Sequence, residues 1–136
     1  MTSYNDSFPW MSYYGHYNFF EDRMQSHVTV SSVRNIGDGL YEISLVNGRI
    51  LKVFICECYS YGIAEYYESV EKLGKLDAVI INSIWCGYTM DAKLHCREHE
   101  VGLFDIRGFM AALNIKDYWK YLTNEEKEYL EERGQF

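Results

Sequence analysis

The sequence predicts an α/β protein with a mixed β-sheet of about five strands flanked by helices. Three observations lead to this prediction. An unbroken apolar run lies at residues 76–82, a strand–helix–strand pattern continues from it to Leu113, and three alternating segments with two turn signals precede it. The sheet should therefore join an antiparallel meander to a parallel strand–helix–strand unit.

The central strand is predicted at residues 76–82, LDAVIIN. A strand with one wet face would alternate apolar and polar residues, and this run does not, so both of its faces should be covered. A short buried helix is the alternative. The short length of the run and its β-branched centre, Val79-Ile80-Ile81, favour the strand.

A helix is predicted to begin just after Thr89, because Thr89 is a good N-cap and Asp91 suits the positive end of the helix dipole. One face of that helix should carry Ala92, Leu94, His95 and His99. A short strand at residues 101–106 follows, and the strand–helix–strand order demands a parallel pair. The next helix should turn three side chains inward: Phe109, Met110 and Leu113.

Three antiparallel strands are predicted at residues 27–33, 40–46 and 49–59. The first two should be joined by the Gly-rich turn at residues 35–39, and the second and third by Asn47-Gly48, a strong two-residue hairpin signal. On the third strand, alternation places three apolar residues on one side: Leu51, Val53 and Ile55.

Further helices are predicted at residues 63–73, where Gly74 provides the C-cap, and in the tail at residues 114–136. Within the tail, Asp117 should cap a short aromatic turn, and Thr123 with Glu126 forms a capping box for the last helix. The apolar residues of the tail are expected to pack on the body or on a second copy of it.

The N-terminal segment, residues 1–26, is rich in aromatic residues. A helix opening at Ser7, before Pro9, would carry Tyr13, Tyr14, Tyr17 and Phe20 on one face. The segment is interpreted as an aromatic lid on the sheet. The functional alternative is a surface for a partner protein, with Tyr13, Tyr14 and Tyr17 as anchors. Stacking on single-stranded bases is a third option, which the scarcity of nearby Lys and Arg disfavours.

The length of 136 residues predicts one domain, made of the N-terminal segment (1–26), a core (27–113) and the tail (114–136). No apolar run approaches the ~20 residues of a membrane span, and no signal peptide is visible, so a cytoplasmic protein is expected. The four cysteines should be thiols rather than a disulfide framework. A net charge of −7 without a Lys/Arg cluster disfavours nucleic-acid binding.

Element order and local texture from Val28 to Leu113 resemble the restriction-endonuclease-like (PD-(D/E)xK) superfamily, within it the Mrr-type branch. The stretch DGLYEISLVNGRILKVFI resembles the hairpin that carries the metal site in that superfamily. The stretch LDAVIINSIWCGYTMDAKLHCREHEVGLFDIRGFMAAL resembles its later half, in which Thr-x-x-Ala opens a helix, here Thr89 and Ala92. The resemblance implies a restriction-endonuclease-like fold for the core.

Active members hold a divalent metal between an acid on the second strand and a Glu-x-Lys or Gln-x-Lys motif on the third. The resemblance places Glu42 at the first acid. The third strand offers only FIC or CEC (54–56 or 56–58) at the motif and lacks its lysine. Lys52 lies upstream on the face of Phe54, and Glu57 points the other way. Glu42, Lys52 and Glu57 are thus vestigial catalytic candidates, and no metal site is expected.

Other chemistry is less well supported by spacing. Cys56, Cys58, Cys86, Cys96 and the pair His95/His99 suggest zinc, but the ligands lack a clean paired knuckle, so buried cysteines and a half-exposed histidine pair are favoured. A Cys86–His nucleophile is possible in principle. Trp85 and Tyr88 flank Cys86 after the central strand, where open α/β sheets bind ligands, so both are candidate binding residues; the alternative is a packed aromatic loop.

The expected function is therefore that of a non-catalytic nuclease-fold protein acting by protein–protein interaction, as a regulator, inhibitor or subunit in a defence or mobile-element system. A protein partner or a homo-oligomer is expected, with no cofactor and no membrane. The first alternative is a divergent nuclease that uses Mg²⁺ with Glu42, Glu57 and Lys52. The second is an acidic inhibitor that mimics nucleic acid.

Overall fold

The computed structural model describes residues 7–12, 14–82 and 86–134. Its strands and helices follow in chain order: α1 (Tyr14–Gln25), β1 (Val30–Gly37), β2 (Leu40–Leu45), β3 (Ile50–Cys56), β4 (Ser60–Tyr61), α2 (Ile63–Leu73), β5 (Ala78–Ile81), β6 (Gly87–Tyr88), α3 (Met90–Glu98), β7 (Gly102–Phe104), α4 (Ile106–Ala112), a 3₁₀ turn (Tyr118–Lys120) and α5 (Asn124–Glu132).

The main sheet has five strands in the order β1-β2-β3-β5-β7. The first three are antiparallel neighbours, whereas β5 pairs in parallel with both β3 and β7. The predicted α/β class and the predicted mixed five-stranded sheet are confirmed. A second, two-stranded parallel sheet of β4 and β6 was not predicted, because strands of two residues leave no periodic signal.

The central strand is confirmed. All four residues of β5 are buried, and they alternate between two apolar clusters, with Ala78 and Ile80 on one face of the sheet and Val79 and Ile81 on the other. The first face is covered by α1 and α4, and the second by α2 and α3. Each fully buried aliphatic side chain contributes about 1.5–3 kcal/mol, so this strand anchors both halves of the core.

Both predicted hairpins form. The β1–β2 turn is Asp38-Gly39, with φ of 56° and 87°, the positive values that a tight two-residue hairpin requires. A Cβ atom on Gly39 would overlap the backbone oxygen of Ile55, so only glycine fits there. At the other end of β2, the backbone N–H of Gly48 donates to the oxygen of Leu45 and closes the turn to β3.

Three predicted boundaries on the N-terminal side are wrong. The first strand runs over Val30–Gly37 rather than 27–33, so the predicted turn at 35–39 shrinks to its last two residues. The third strand ends at Cys56 rather than at residue 59. The first helix begins at Tyr14 instead of after Ser7, and Trp10 before it has a φ of 48°, outside the helical region. Trp10 is buried against Phe54 and Tyr61.

Helices α2, α3 and α5 start as predicted, whereas α4 already begins at Ile106, which the predicted strand at 101–106 had included; β7 spans only Gly102–Phe104. Two further details differ. Helix α2 spans the predicted residues, Thr89 caps α3 by accepting from the N–H of Ala92, and Thr123 with Glu126 forms the capping box of α5. Asp117 precedes the 3₁₀ turn without capping it through its side chain. On α3 the buried residues are Ala92, Lys93 and Cys96 rather than the predicted face, because the helix is rotated to face β7 and α5 with Lys93.

The tail packs on the body, as expected, through side chains that are 4% exposed or less: Tyr118, Leu122 and Leu130. Across the described parts of the chain, no helix is both long enough and apolar enough to cross a bilayer.

Candidate functional site

Glu42 and Lys52 face each other across the β2–β3 pair, where they are direct cross-strand partners. The carboxylate oxygen Oε1 of Glu42 accepts from Nη1 of Arg34 at 2.8 Å. That ion pair is solvent-exposed, with side chains 74% and 38% accessible, so it contributes only about 0–1 kcal/mol. The predicted first acid is therefore on the surface and already paired with a cation.

The amine of Lys52 is engaged in the fold. Its Nζ donates to the backbone oxygen of Leu73, at the C-terminal end of α2, where the helix dipole favours a cation. The backbone N–H of Lys52 also donates to Oδ2 of Asp77 at 2.8 Å. Lys52 thus ties α2 and the entry to β5 onto β3.

Glu57 lies apart from this pair. It follows the end of β3 and is five residues beyond Lys52, a distance of about 16 Å along an extended chain. Its side chain is buried, and its backbone N–H donates to the oxygen of Trp10. The structure therefore brings Glu42 and Lys52 together and leaves Glu57 away from them. Among the described residues, no group of three His, Cys, Asp or Glu side chains could hold a metal ion.

The N-terminal aromatic candidates divide into described and undescribed residues. Tyr13 and Trp85 lie outside the described residues, and only the backbone of Tyr14, the first residue of α1, falls within them. Tyr17 is half-buried against the α1 side of the core, and its hydroxyl oxygen accepts from the backbone N–H of Ser12 at 2.9 Å. Burial raises the pKa of Tyr17, in keeping with a packing role in the lid.

Tyr88, the other candidate after the central strand, is a half-buried residue of β6. Its hydroxyl donates to Oε2 of Glu126 at 2.6 Å and so joins β6 to α5. Burial, and secondarily the acceptor Glu126, raise the pKa of Tyr88 well above its ordinary value.

Lys93, which sequence reasoning missed, is the most unusual ionisable residue of the described chain. It is 0% exposed, its Nζ donates to the backbone oxygen of Leu103 at 2.6 Å, and it lies 3.8 Å from Oε1 of Glu126. The amine is also 4.0 Å from the centre of the Phe104 ring. Burial lowers the pKa of Lys93 to about 8, although Glu126 opposes that shift. The sequence feature that could have predicted its burial is its position three residues before Cys96, on the buried face of α3.

A buried amine with a lowered pKa is the kind of group that enzymes use as a nucleophile or base. Here its hydrogen-bonding partner, Leu103, and its charged neighbour, Glu126, belong to the fold, and the side chain has no solvent-exposed surface. With Glu126 and Tyr88 it forms a closed cluster, the Lys93–Glu126–Tyr88 cluster, that holds α5 against α3 and β6. This cluster is a tie within the fold rather than a site for a substrate.

The cysteines differ in their exposure: Cys86 is half-buried, whereas the other three are buried. Cys56, Cys58 and Cys96 are buried, and burial raises the pKa values of their thiols, to about 12 for Cys58 and Cys96, so the nucleophilic thiolate is suppressed. His95 and His99 stack with ring centroids 4.5 Å apart, beside Tyr66 and Tyr67. His95 is half-buried and His99 is exposed, so the structure shows the half-exposed histidine pair that was favoured.

A cleft of about 210 Å³ lies between the β2–β3 turn and the segment that follows α4. We call its rim the hairpin-end surface and define it by six residues: Thr29, Val46, Asn47, Arg49, Ile115 and Lys116. The apolar members Val46 and Ile115 are 66% and 45% exposed, unlike the buried apolar residues beneath them. A second, shallower depression at Leu94, Arg97, Glu98 and Lys120 mixes both charge signs.

Comparison with known proteins adds no identification. No family model, no curated protein and no solved structure matches the chain. The functional argument therefore rests on the residues and geometry above.

Proposed function

We propose that the chain is a non-catalytic protein with a restriction-endonuclease-like fold that acts by binding another protein or a second copy of itself. Such a protein would serve as a regulator, inhibitor or subunit, for instance in a defence or mobile-element system. The observation that carries the proposal is the state of Lys52. Its amine donates to the carbonyl of Leu73, and this contact supports a structural role for Lys52 over a catalytic one.

The surface adds support. Val46 and Ile115 expose apolar area on one cleft, and exposed apolar patches rimmed by polar residues mark interaction sites. The net charge of −7 also favours a protein partner over a polyanion, because nucleic-acid binding depends on neutralising phosphates with Lys and Arg.

Affinity capture tests the proposal. The tagged chain, expressed in its native cells and purified at low salt, should bring down one partner in a fixed molar ratio or emerge as a homo-oligomer. Light scattering after gel filtration measures the mass of the purified chain. A strict monomer that captures no partner in a fixed ratio would contradict the proposal.

A metal-dependent nuclease is the second candidate, because Glu42 lies directly across from Lys52 on neighbouring strands. The test is incubation with Mg²⁺ or Mn²⁺ and single- or double-stranded DNA and RNA. Glu42→Ala serves as the active-site variant and Glu128→Ala, an exposed carboxylate on α5, as its matched control. We expect no cleavage. Cleavage that Glu42→Ala abolishes and Glu128→Ala retains would contradict the proposal and identify the chain as a nuclease.

A further inference from the structure

The cleft at the hairpin-end surface has the size of an anchor pocket. Its volume of about 210 Å³ is below the roughly 300–1,000 Å³ of sites that enclose a small-molecule ligand. A pocket of this size accepts one large side chain of a partner whose remaining contacts spread over the rim. Interfaces commonly concentrate their binding energy in such anchors.

The interior of the cleft is apolar. Leu45, Leu113 and Tyr118 line it and are 8% exposed or less, whereas Val46 and Ile115 stand at its edges and remain largely in water. A partner side chain that covered those two edges would remove their apolar surface from water, at about 25 cal/mol per Å². The cleft therefore favours an apolar anchor.

The charged residues that line the cleft are both cations, Arg49 and Lys116. Both are exposed, and the ion pairs within the described ranges involve other residues. The guanidinium of Arg49 donates to the backbone oxygen of Lys116 at 3.2 Å and lies 5.3 Å from the centre of the Tyr118 ring, which positions it at the rim. Two cations at one cleft of a chain with a net charge of −7 form a local positive site.

We infer that this cleft binds an acidic segment of a partner protein, which inserts one apolar side chain between Val46 and Ile115 and sets carboxylates against Arg49 and Lys116. The inference rests on the proposed function and specifies its surface and the chemistry of its partner. The carboxylates supply the opposite charge, and the apolar anchor distinguishes a protein segment from a nucleic acid, whose phosphates would use the cations alone.

The test compares two charge-reversal variants of equal net charge. The cleft variant is Arg49→Glu with Lys116→Glu, and its matched control is Arg107→Glu with Lys127→Glu, two exposed cations on α4 and α5. The probes are peptides selected from a random display library on the full wild-type chain, then measured by fluorescence polarisation. The selected peptides should share an apolar residue flanked by Asp or Glu. Their affinity should fall about tenfold or more in the cleft variant, change little in the control and weaken with added salt.

Several results would overturn the inference. They are the selection of basic or uncharged peptides, equal binding by both variants, or displacement of the peptides by a labelled single-stranded DNA or RNA that needs the same cations. Should the cleft variant fail to fold, Arg49→Gln with Lys116→Gln replaces it. If the cleft variant still captures the stoichiometric cellular partner, the inference fails while the proposed function stands. The inference alone also fails if the wild-type chain captures no partner but forms a homo-oligomer, and both fail if the wild-type chain is a strict monomer that captures none.

Discussion

Two charged regions of this molecule differ in the partners of their charged groups. In the Lys93–Glu126–Tyr88 cluster, a buried cation donates to a backbone oxygen and faces a carboxylate that is itself hydrogen-bonded. At the hairpin-end surface, Arg49 and Lys116 are exposed beside exposed apolar side chains, and none of the described residues that line the cleft carries a carboxylate. The first region holds the Lys93 amine, whose pKa burial lowers to about 8, and the second holds cations that a partner can reach. A perturbed pKa marks burial, and only an accessible group can act on another molecule.

The largest effect is expected when the buried cluster is broken at its carboxylate. Glu126→Ala leaves Lys93 buried without its counter-charge, removes the acceptor of Tyr88 and opens the α5 capping box. The free energy of unfolding should fall by about 3–5 kcal/mol, as for other half-deleted buried ion pairs. Urea denaturation measures it. Glu128→Ala, on the exposed side of the same helix, should lower the free energy of unfolding by about 0.5 kcal/mol or less. Equal losses for the two variants would show that the buried cluster does not stabilise the fold more than a surface residue does.

The pH dependence of stability isolates Lys93. Its folded pKa of about 8 lies below the ordinary 10.5, so the unfolded chain binds more protons between those values. Stability from this group therefore rises with pH across that window, by on the order of 3 kcal/mol in total. The buried cysteines and tyrosines have raised pKa values, so their contribution to stability falls as the pH rises. The measurement is therefore the difference in the free energy of unfolding between wild type and Lys93→Met. A difference that stays constant from pH 8 to 10 would contradict the lowered pKa of Lys93.

The two turns at the ends of β2 give a smaller contrast of the same kind. Gly39, at the closed end, would overlap the Ile55 oxygen if it carried a side chain, whereas Gly48, at the hairpin-end surface, has open space around it. Gly39→Ala should therefore cost about 2–3 kcal/mol more than Gly48→Ala, although both have positive φ. Thermal or urea unfolding compares them. Equal costs would mean that the turn near Ile55 relaxes freely.

The smallest effect on stability is expected at the hairpin-end surface. The cleft variant, Arg49→Glu with Lys116→Glu, should change the free energy of unfolding by about 0.5 kcal/mol or less per site, because both side chains are exposed. Urea denaturation beside wild type checks this. A loss of several kcal/mol would show that these cations stabilise the fold as Lys93 does, and would contradict the difference between the two regions.

Elements with strong local signals were predictable from sequence. The unbroken apolar run located β5, the two glycine turns located the meander, and the caps Thr89 and Thr123 located the starts of α3 and α5. In each case the information lies within a few neighbouring residues.

Features decided by tertiary contacts were not predictable. The residues before α1 adopt a cis peptide bond and a positive φ at Trp10, whose ring packs on Phe54, far along the chain. Lys93 is buried because its amine finds Leu103 and Glu126, partners on later elements that no local pattern reveals. The hairpin-end surface likewise joins the β2–β3 turn to the segment after α4. The hydrogen bond between the backbone N–H of Ser12 and the hydroxyl oxygen of Tyr17 likewise depends on the fold.

Quantitative capture from native cells, with the cleft variant and its Arg107→Glu/Lys127→Glu control side by side, tests the central claim that this chain works by binding through the hairpin-end surface. We predict that wild type and control recover the same partner in the same molar ratio, and that the cleft variant loses most of it while remaining folded. Equal recovery by all three proteins, or no stoichiometric partner with any of them, would contradict the claim.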